Sequence, residues 1–203
     1  MNPMKDQFLA IVKKHIKRDG VNELLEWLED SDFYTAPAST RFHLCREGGL
    51  LEHSMNVYRR LVRLCEMEYG EINDELHETI AIIALFHDFT KIDFYKPEWK
   101  NVKVYQENGS KVDNGGCFEW ETKLGYTVDE KLNYGYHGPK SVFLIERYLR
   151  LTPEEAVAIS CHMGAFDRSP NDYSIGNAFE QNALALLLHT ADCMASFIDE
   201  AEK

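Results

Sequence analysis

The sequence predicts an all-α, mainly helical bundle that carries a small β-hairpin insertion. Three observations point there. Apolar residues recur at helical spacing over most of the chain, and the run Ile80–Phe86 is apolar on every side. Between about 94 and 136 the composition changes to aromatics, glycines and β-formers. With 203 residues and 44% hydrophobic content, the chain can bury a sizeable core. Residues 1–203 therefore read as one domain with an inserted hairpin at about 94–136.

Phe8, Leu9, Val12 and Ile16 give a first helix over about 6–17, which Gly20 interrupts. Leu24, Leu25 and Leu28 share one face of a second, over about 21–29. Residues 31–46 hold no period and read as loop. Gly48-Gly49 opens a third helix over about 50–68, and Asn73 or Asp74 caps a fourth that runs through Phe86. In the insertion, 101–105 and 118–123 look like strands, with turn chemistry at Glu107–Ser110 and Asp113–Gly116. Gly138-Pro139 starts a helix to about Leu149, and Thr152-Pro153-Glu154-Glu155 starts another that ends near His162. Residues 165–176 read as loop, and a single last helix is expected over about 178–199.

The net charge of −12 gives no long-range attraction to a nucleic-acid backbone, and no basic run compensates. Long nucleic acid is not an expected partner. No apolar run approaches the ~18 residues of a membrane span, and no secretory signal opens the chain. Five cysteines without a Cys-x-x-Cys fit a reduced cytoplasm. Cys161 and Cys193 neighbour His162 and Asp192, but buried packing is their plainer role.

Eight histidines are unevenly placed. His53 lies in the first turn of the third helix. His87-Asp88 ends the apolar fourth, His137 precedes a helix and His162 closes one. His189 and Asp192 share a face of the last helix. A polar ligand group projecting from an apolar helix is costly unless it is paired or binds metal. Imidazoles and carboxylates brought to one interior point suit a first-row transition metal or magnesium. His15 and His77 read as core or surface histidines.

The ordered set His53, His87-Asp88 and Asp192 resembles the HD-domain superfamily of metal-dependent phosphohydrolases. Gly48-Gly49-Leu50-Leu51-Glu52-His53-Ser54 is similar to its Gly-Gly-Leu-x-x-His-Ser/Thr segment. Residues 85–91 resemble its His-Asp-x-x-Lys segment, and 189–192 its closing His-x-Ala-Asp. The branch that includes HD-type 3′→5′ exoribonucleases is the most similar one, over about 40–200 outside the insertion. The resemblance implies one or two divalent ions (Mn, Fe, Co, Ni, Zn or Mg) on His53, His87, Asp88 and Asp192. His137 and His162 match positions that hold a second ion in some members, with Asp88 bridging, and that touch substrate in single-metal members. Lys91 matches a lysine that approaches the substrate phosphate. Thr90 departs from a common glycine, and no OB module precedes the domain, which puts polymer binding in doubt.

The implied activity is hydrolysis of a nucleotide or other small phosphate ester or diester, with Asp88, Lys91 and His189 as catalytic groups. Metal coordination lowers the pKa of a water toward about 7. Lys91 adds a positive charge, and His43, Arg46 and Arg168 are further candidate contacts for the phosphate. His189 could orient Asp192, protonate a leaving oxygen, or serve as a hydrogen-bond partner behind the ligands. The insertion's aromatics, Trp99 and Trp120 among them, could form a lid that stacks a nucleobase; the plainer reading packs them on the bundle. Competing readings are a 3′→5′ exonuclease on short single strands, a di-iron oxygenase and a non-catalytic nucleotide-binding module.

Overall fold

The computed structural model describes residues 2–167 and 172–201. The first four helices are α1 (Pro3–His15), α2 (Val21–Asp30), α3 (Gly49–Tyr69) and α4 (Asp74–Phe86). Three strands follow: β1 (Tyr95–Tyr105), β2 (Lys111–Asp113) and β3 (Gly116–Val128). Helices α5 (His137–Ile145), α6 (Pro153–Cys161), α7 (Ser174–Gln181) and α8 (Ala183–Met194) complete the order, and a π turn over Ala195–Asp199 extends the last. Among the described residues no helix is long and apolar enough to cross a membrane.

Helix α4 is the axis of the core. Asn73 caps it through a 2.8 Å bond from the Leu76 amide, and Ile80 to Phe86 are all fully buried. Helix α3 packs on α4 and α8, α6 on α5 and α8, and α1 on α4. The 31–46 segment supplies Phe33 and Tyr34 to the core, where Phe33 lies 5.3 Å from the Phe8 ring and 5.6 Å from that of Phe89. Entry into α3 depends on its glycine pair. Gly48 sits at φ +74°, and a Cβ on Gly49 would lie 2.1 Å from the Leu44 carbonyl oxygen. Thr152 and Glu155 form the capping box at the start of α6. The same Glu155 carboxylate, fully buried, accepts two bonds from Arg18, at 2.6 and 2.9 Å.

The expectations for the last helix, the fold class and the insertion's aromatics are corrected. The single helix over about 178–199 is broken at Asn182, and its first part begins earlier, at Ser174. Asn182 adopts an extended backbone (φ −140°, ψ 98°), accepts from the Leu184 amide at 3.1 Å and donates to the Glu154 carbonyl at 2.8 Å. Its side chain gains more as a cap than within a helix.

The all-α class with a small hairpin does not hold. The chain combines helices with a three-stranded antiparallel sheet in the order β1-β3-β2. The two long strands exceed their β-rich cores: β1 and β3 pair without interruption from Tyr95↔Val128 to Tyr105↔Phe118. Backbone pairing carries the ladder through Pro97, Glu98 and Gly125, residues that are depleted in strands. The sheet is two-faced. Trp99, Tyr105, Trp120 and Leu124 share one face, and Glu98, Lys100, Glu121 and Lys123 the other. Pro97, opposite Tyr126, occupies the open edge strand.

Neither expectation for the aromatics describes Trp99 and Trp120, which are 70% and 48% exposed. Trp99→Ala and Trp120→Ala should therefore each change stability by less than about 1 kcal/mol. Phe33→Ala should cost about 3–5 kcal/mol. Urea unfolding of the three variants checks this, and a loss at Trp99 comparable to that at Phe33 would contradict the exposed sheet.

Candidate metal centre

Four helices deliver ligand groups to one interior point. His53 comes from the first turns of α3, and His87 and Asp88 from the end of α4. His162 caps α6, and Asp192 lies on α8. His53 Nε2 lies 3.2 Å from Asp192 Oδ1, 3.3 Å from His87 Nε2 and 3.5 Å from Asp88 Oδ2. Atoms that share one cation at about 2.0–2.1 Å are separated by about 3–3.5 Å in octahedral or tetrahedral geometry. The groups His53/His87/Asp192 and His87/Asp88/His162 each keep their ligand atoms within 4.8 Å of one another.

Ring orientation is set from behind. His87 Nδ1 donates to the Ala84 carbonyl at 2.9 Å, and His162 Nδ1 donates to the Ile159 carbonyl at 2.7 Å. Both use the third residue back at a helix end. Each Nε2 therefore carries its lone pair into the cluster, the form a metal requires. His162 is fully buried, and its Nε2 has no hydrogen-bond partner although Asp88 Oδ1 is 3.4 Å away. A buried acceptor left this way is costly unless something else satisfies it. Donor set, spacing and orphaned nitrogen all fit a cation with mixed nitrogen and oxygen ligands.

Asp88 stands between two sets of neighbours. Oδ2 is 2.7 Å from Lys91 Nζ and 3.5 Å from both His53 Nε2 and His87 Nε2. Oδ1 is 2.5 Å from His137 Nε2. Burial alone would raise its pKa, but Lys91 and the surrounding imidazoles hold the carboxyl well below the usual range. Lys91 is shifted upward, because Asp88 outweighs its burial. Burial pushes His87 down to about 3, with Asp88 opposing only in part. For His53, burial is outweighed by Asp192 and Glu200, which hold the ring up at about 9.

Glu200 was not a candidate from sequence. Both its oxygens lie 3.1 Å from His53 Nδ1, and Asn56 Nδ2 donates to it at 3.0 Å. This is the carboxylate–histidine arrangement that raises ligand basicity at metal sites. An α-helix continued from Asp192 would turn residue 200 about 80° off the Asp192 face. The π turn inserts an extra residue and turns it back. Nothing in an acidic stretch near the end of α8 announces that turn. Asn56 did leave a signal, a polar residue one turn after His53 on the same face.

The centre opens on a cavity of about 610 Å³. Asp88, Lys91, His137, His162, His189 and Asp192 line it, and so does His43, whose ring lies 5.0 Å from that of His53. Phe42, Phe166 and Phe197 form an aromatic rim, each about two-thirds or more exposed, and no strand residue takes part. His189 does not hydrogen-bond Asp192. Its Nδ1 donates to the His162 carbonyl at 2.6 Å, and its Nε2 is 3.8 Å from Cys193 Sγ. Gly164 makes room for it, since a Cβ there would lie 2.6 Å from the imidazole. Arg46 is not brought to the cavity and pairs with Glu52 at 2.5 Å. Arg168 lies outside the described residues.

No known protein family matches the chain, and neither a curated protein nor a solved structure does. The buried histidines and carboxylates thus stand on their own geometry.

Glu200→Ala should lower divalent-metal affinity about 10–100-fold while the fold is retained. Competition against a chromophoric chelator, with far-UV circular dichroism as the folding control, measures this. Affinity equal to that of the unmodified chain would mean that Glu200 does not support His53.

Proposed function

We propose that the chain is a metal-dependent phosphohydrolase of the HD-domain superfamily, acting on a nucleotide or other small phosphate ester or diester. One observation carries this reading: His53, His87, Asp88, His162 and Asp192 converge, with Lys91 beside them, at the base of a cavity of about 610 Å³. That volume is within the range of small-molecule sites, about 300–1,000 Å³.

His53, His87, Asp88 and Asp192 would hold one cation. Asp88 directs Oδ2 toward His53 and His87 and Oδ1 toward His137 and His162, the residues that would hold a second cation if one binds. When bound, the metal supplies an activated water and neutralises charge on the phosphoryl oxygens. The remaining work falls to the chain. Lys91 spends one of its three donors on Asp88, and the others can meet a phosphoryl oxygen. His189, with Nδ1–H held by a carbonyl, presents Nε2 as an acceptor for a substrate hydroxyl. The aromatic rim shields the apolar part of the substrate from water.

The test is a panel of nucleotides and p-nitrophenyl phosphate esters assayed across divalent ions. Hydrolysis should require metal. His87→Ala and Asp192→Asn should each reduce turnover at least about a hundredfold, the factor given by about 3 kcal/mol of lost transition-state stabilisation. Metal-loaded protein that hydrolyses no member of the panel would overturn the proposal.

A further inference from the structure

A second cavity, of about 530 Å³, lies between the end of α1, the middle of α3 and the start of α4. It does not share a residue with the metal cavity. The chain carries 34 acidic against 22 basic residues, yet Lys14, Arg59 and Arg63 line this space against one carboxylate, Glu66. Arg18, Arg46 and Arg60 are neutralised by Glu155, Glu52 and Asp199, whereas the arginines that line this cleft are not. Among the described residues, no ion pair holds Lys14, Arg59 or Arg63. Arg59 donates to the neutral oxygens of Asn56, at 3.0 Å, and Gln7, at 3.4 Å. Arg63 acts on Asp199 only at longer range.

The wall between these cations is a pair of imidazoles. His15 and His77 stack at 3.8 Å with planes 12° apart, and Tyr58 Oη is 2.9 Å from His77 Nε2. Burial, and next the neighbouring charge of His77 or Lys14, depresses both rings. With Glu66 as the one carboxylate on the lining, and Asp74, Glu75 and Glu78 bordering only the Lys14 and His15 side, an anion in the cleft meets net positive charge. Arg59 and Arg63 are one helical turn apart, so their planar forks can address neighbouring oxygens of one ligand. Phosphate, with several strong acceptors, matches such forks better than a single carboxylate does. The limited volume of this open cleft and the acidity of the rest of the chain favour a small molecule over a polymer.

The cleft is also wired to the metal centre. Arg59 donates to Asn56 Oδ1, Asn56 donates to Glu200 at 3.0 Å, and Glu200 holds His53 Nδ1 at 3.1 Å. We propose that this cleft binds a small phosphorylated anion and couples it, through Arg59, Asn56 and Glu200, to the orientation of His53. A ligand that recruits the Arg59 guanidinium alters the first bond of that string. By linkage, the coupling between the two sites is reciprocal. The binding does not depend on the phosphohydrolase reading, since it involves none of those catalytic groups.

The test uses the full, metal-free chain titrated with inorganic tripolyphosphate in a calorimeter. The double variant Lys14→Ala/Arg63→Ala, at two exposed positions, should weaken binding about tenfold or more through loss of two charge-assisted contacts. Lys91→Ala, in the other cavity, should leave the affinity within about twofold. No binding to the unmodified chain, or a loss that follows Lys91 instead of Lys14 and Arg63, would overturn the site. The imidazole nitrogen resonances of His53 should move during the titration, and should stay fixed in Asn56→Ala while binding persists. A His53 signal that never moves in the unmodified chain would overturn the coupling.

Discussion

The burial of the Asp88 carboxylate constrains everything around it. A carboxylate carried to the end of an apolar helix loses hydration worth several kcal/mol even after relaxation. It remains ionised only if positive charge and N–H donors are built around it. Lys91 follows one turn later, at 2.7 Å, and His137 approaches the other oxygen at 2.5 Å. The positions of α3, α5, α6 and α8 around α4 can be read as the packing that brings those groups close enough. The apolar run Ile80–Phe86 makes this possible, because it forces the helix end into the interior and takes His87 and Asp88 with it.

A second layer keeps the first from moving. Three imidazoles donate Nδ1–H to backbone carbonyls, those of Ala84, Ile159 and His162, and a fourth is held by Glu200. Carbonyls at helix ends are natural partners, since the last turn leaves them without intrahelical donors. The geometry of the centre is thus fixed by secondary structure as much as by side chains. A ligand group set in this way stays within the narrow tolerances that a metal site requires.

The sequence made some of this legible and hid the rest for physical reasons. His87, Asp88 and Asp192 could be picked out because each follows an apolar run on a helix, and the resemblance to the HD-domain segments added His53 and His162. Their meeting follows from which helices pack together, and the structure brings them together. Glu200 was invisible because a π turn changes the register in which helical faces are counted. Asn182 was read through because asparagine is tolerated inside a helix when no better use exists, and here it caps one. Strand lengths were underestimated because a ladder's hydrogen bonds extend pairing into residues with little preference for it. Arg46 was drawn to the phosphate on charge alone, and the nearby Glu52 claimed it.

Pro97 carries a consequence for how the molecule behaves at high concentration. Phe94 accepts from the Asp129 amide, and the Gln106 amide donates to Cys117, so the even-numbered residues of β1 face β3 and the odd-numbered ones face outward. An exposed strand of eleven residues would ordinarily invite a neighbouring molecule to add a strand of its own. At position 97 the outward donor is missing, and the flanking Lys96, Glu98 and Lys100 charges lie next to the gap. A would-be seam between molecules is broken near its start, which turns a long open edge into a poor template for fibrils.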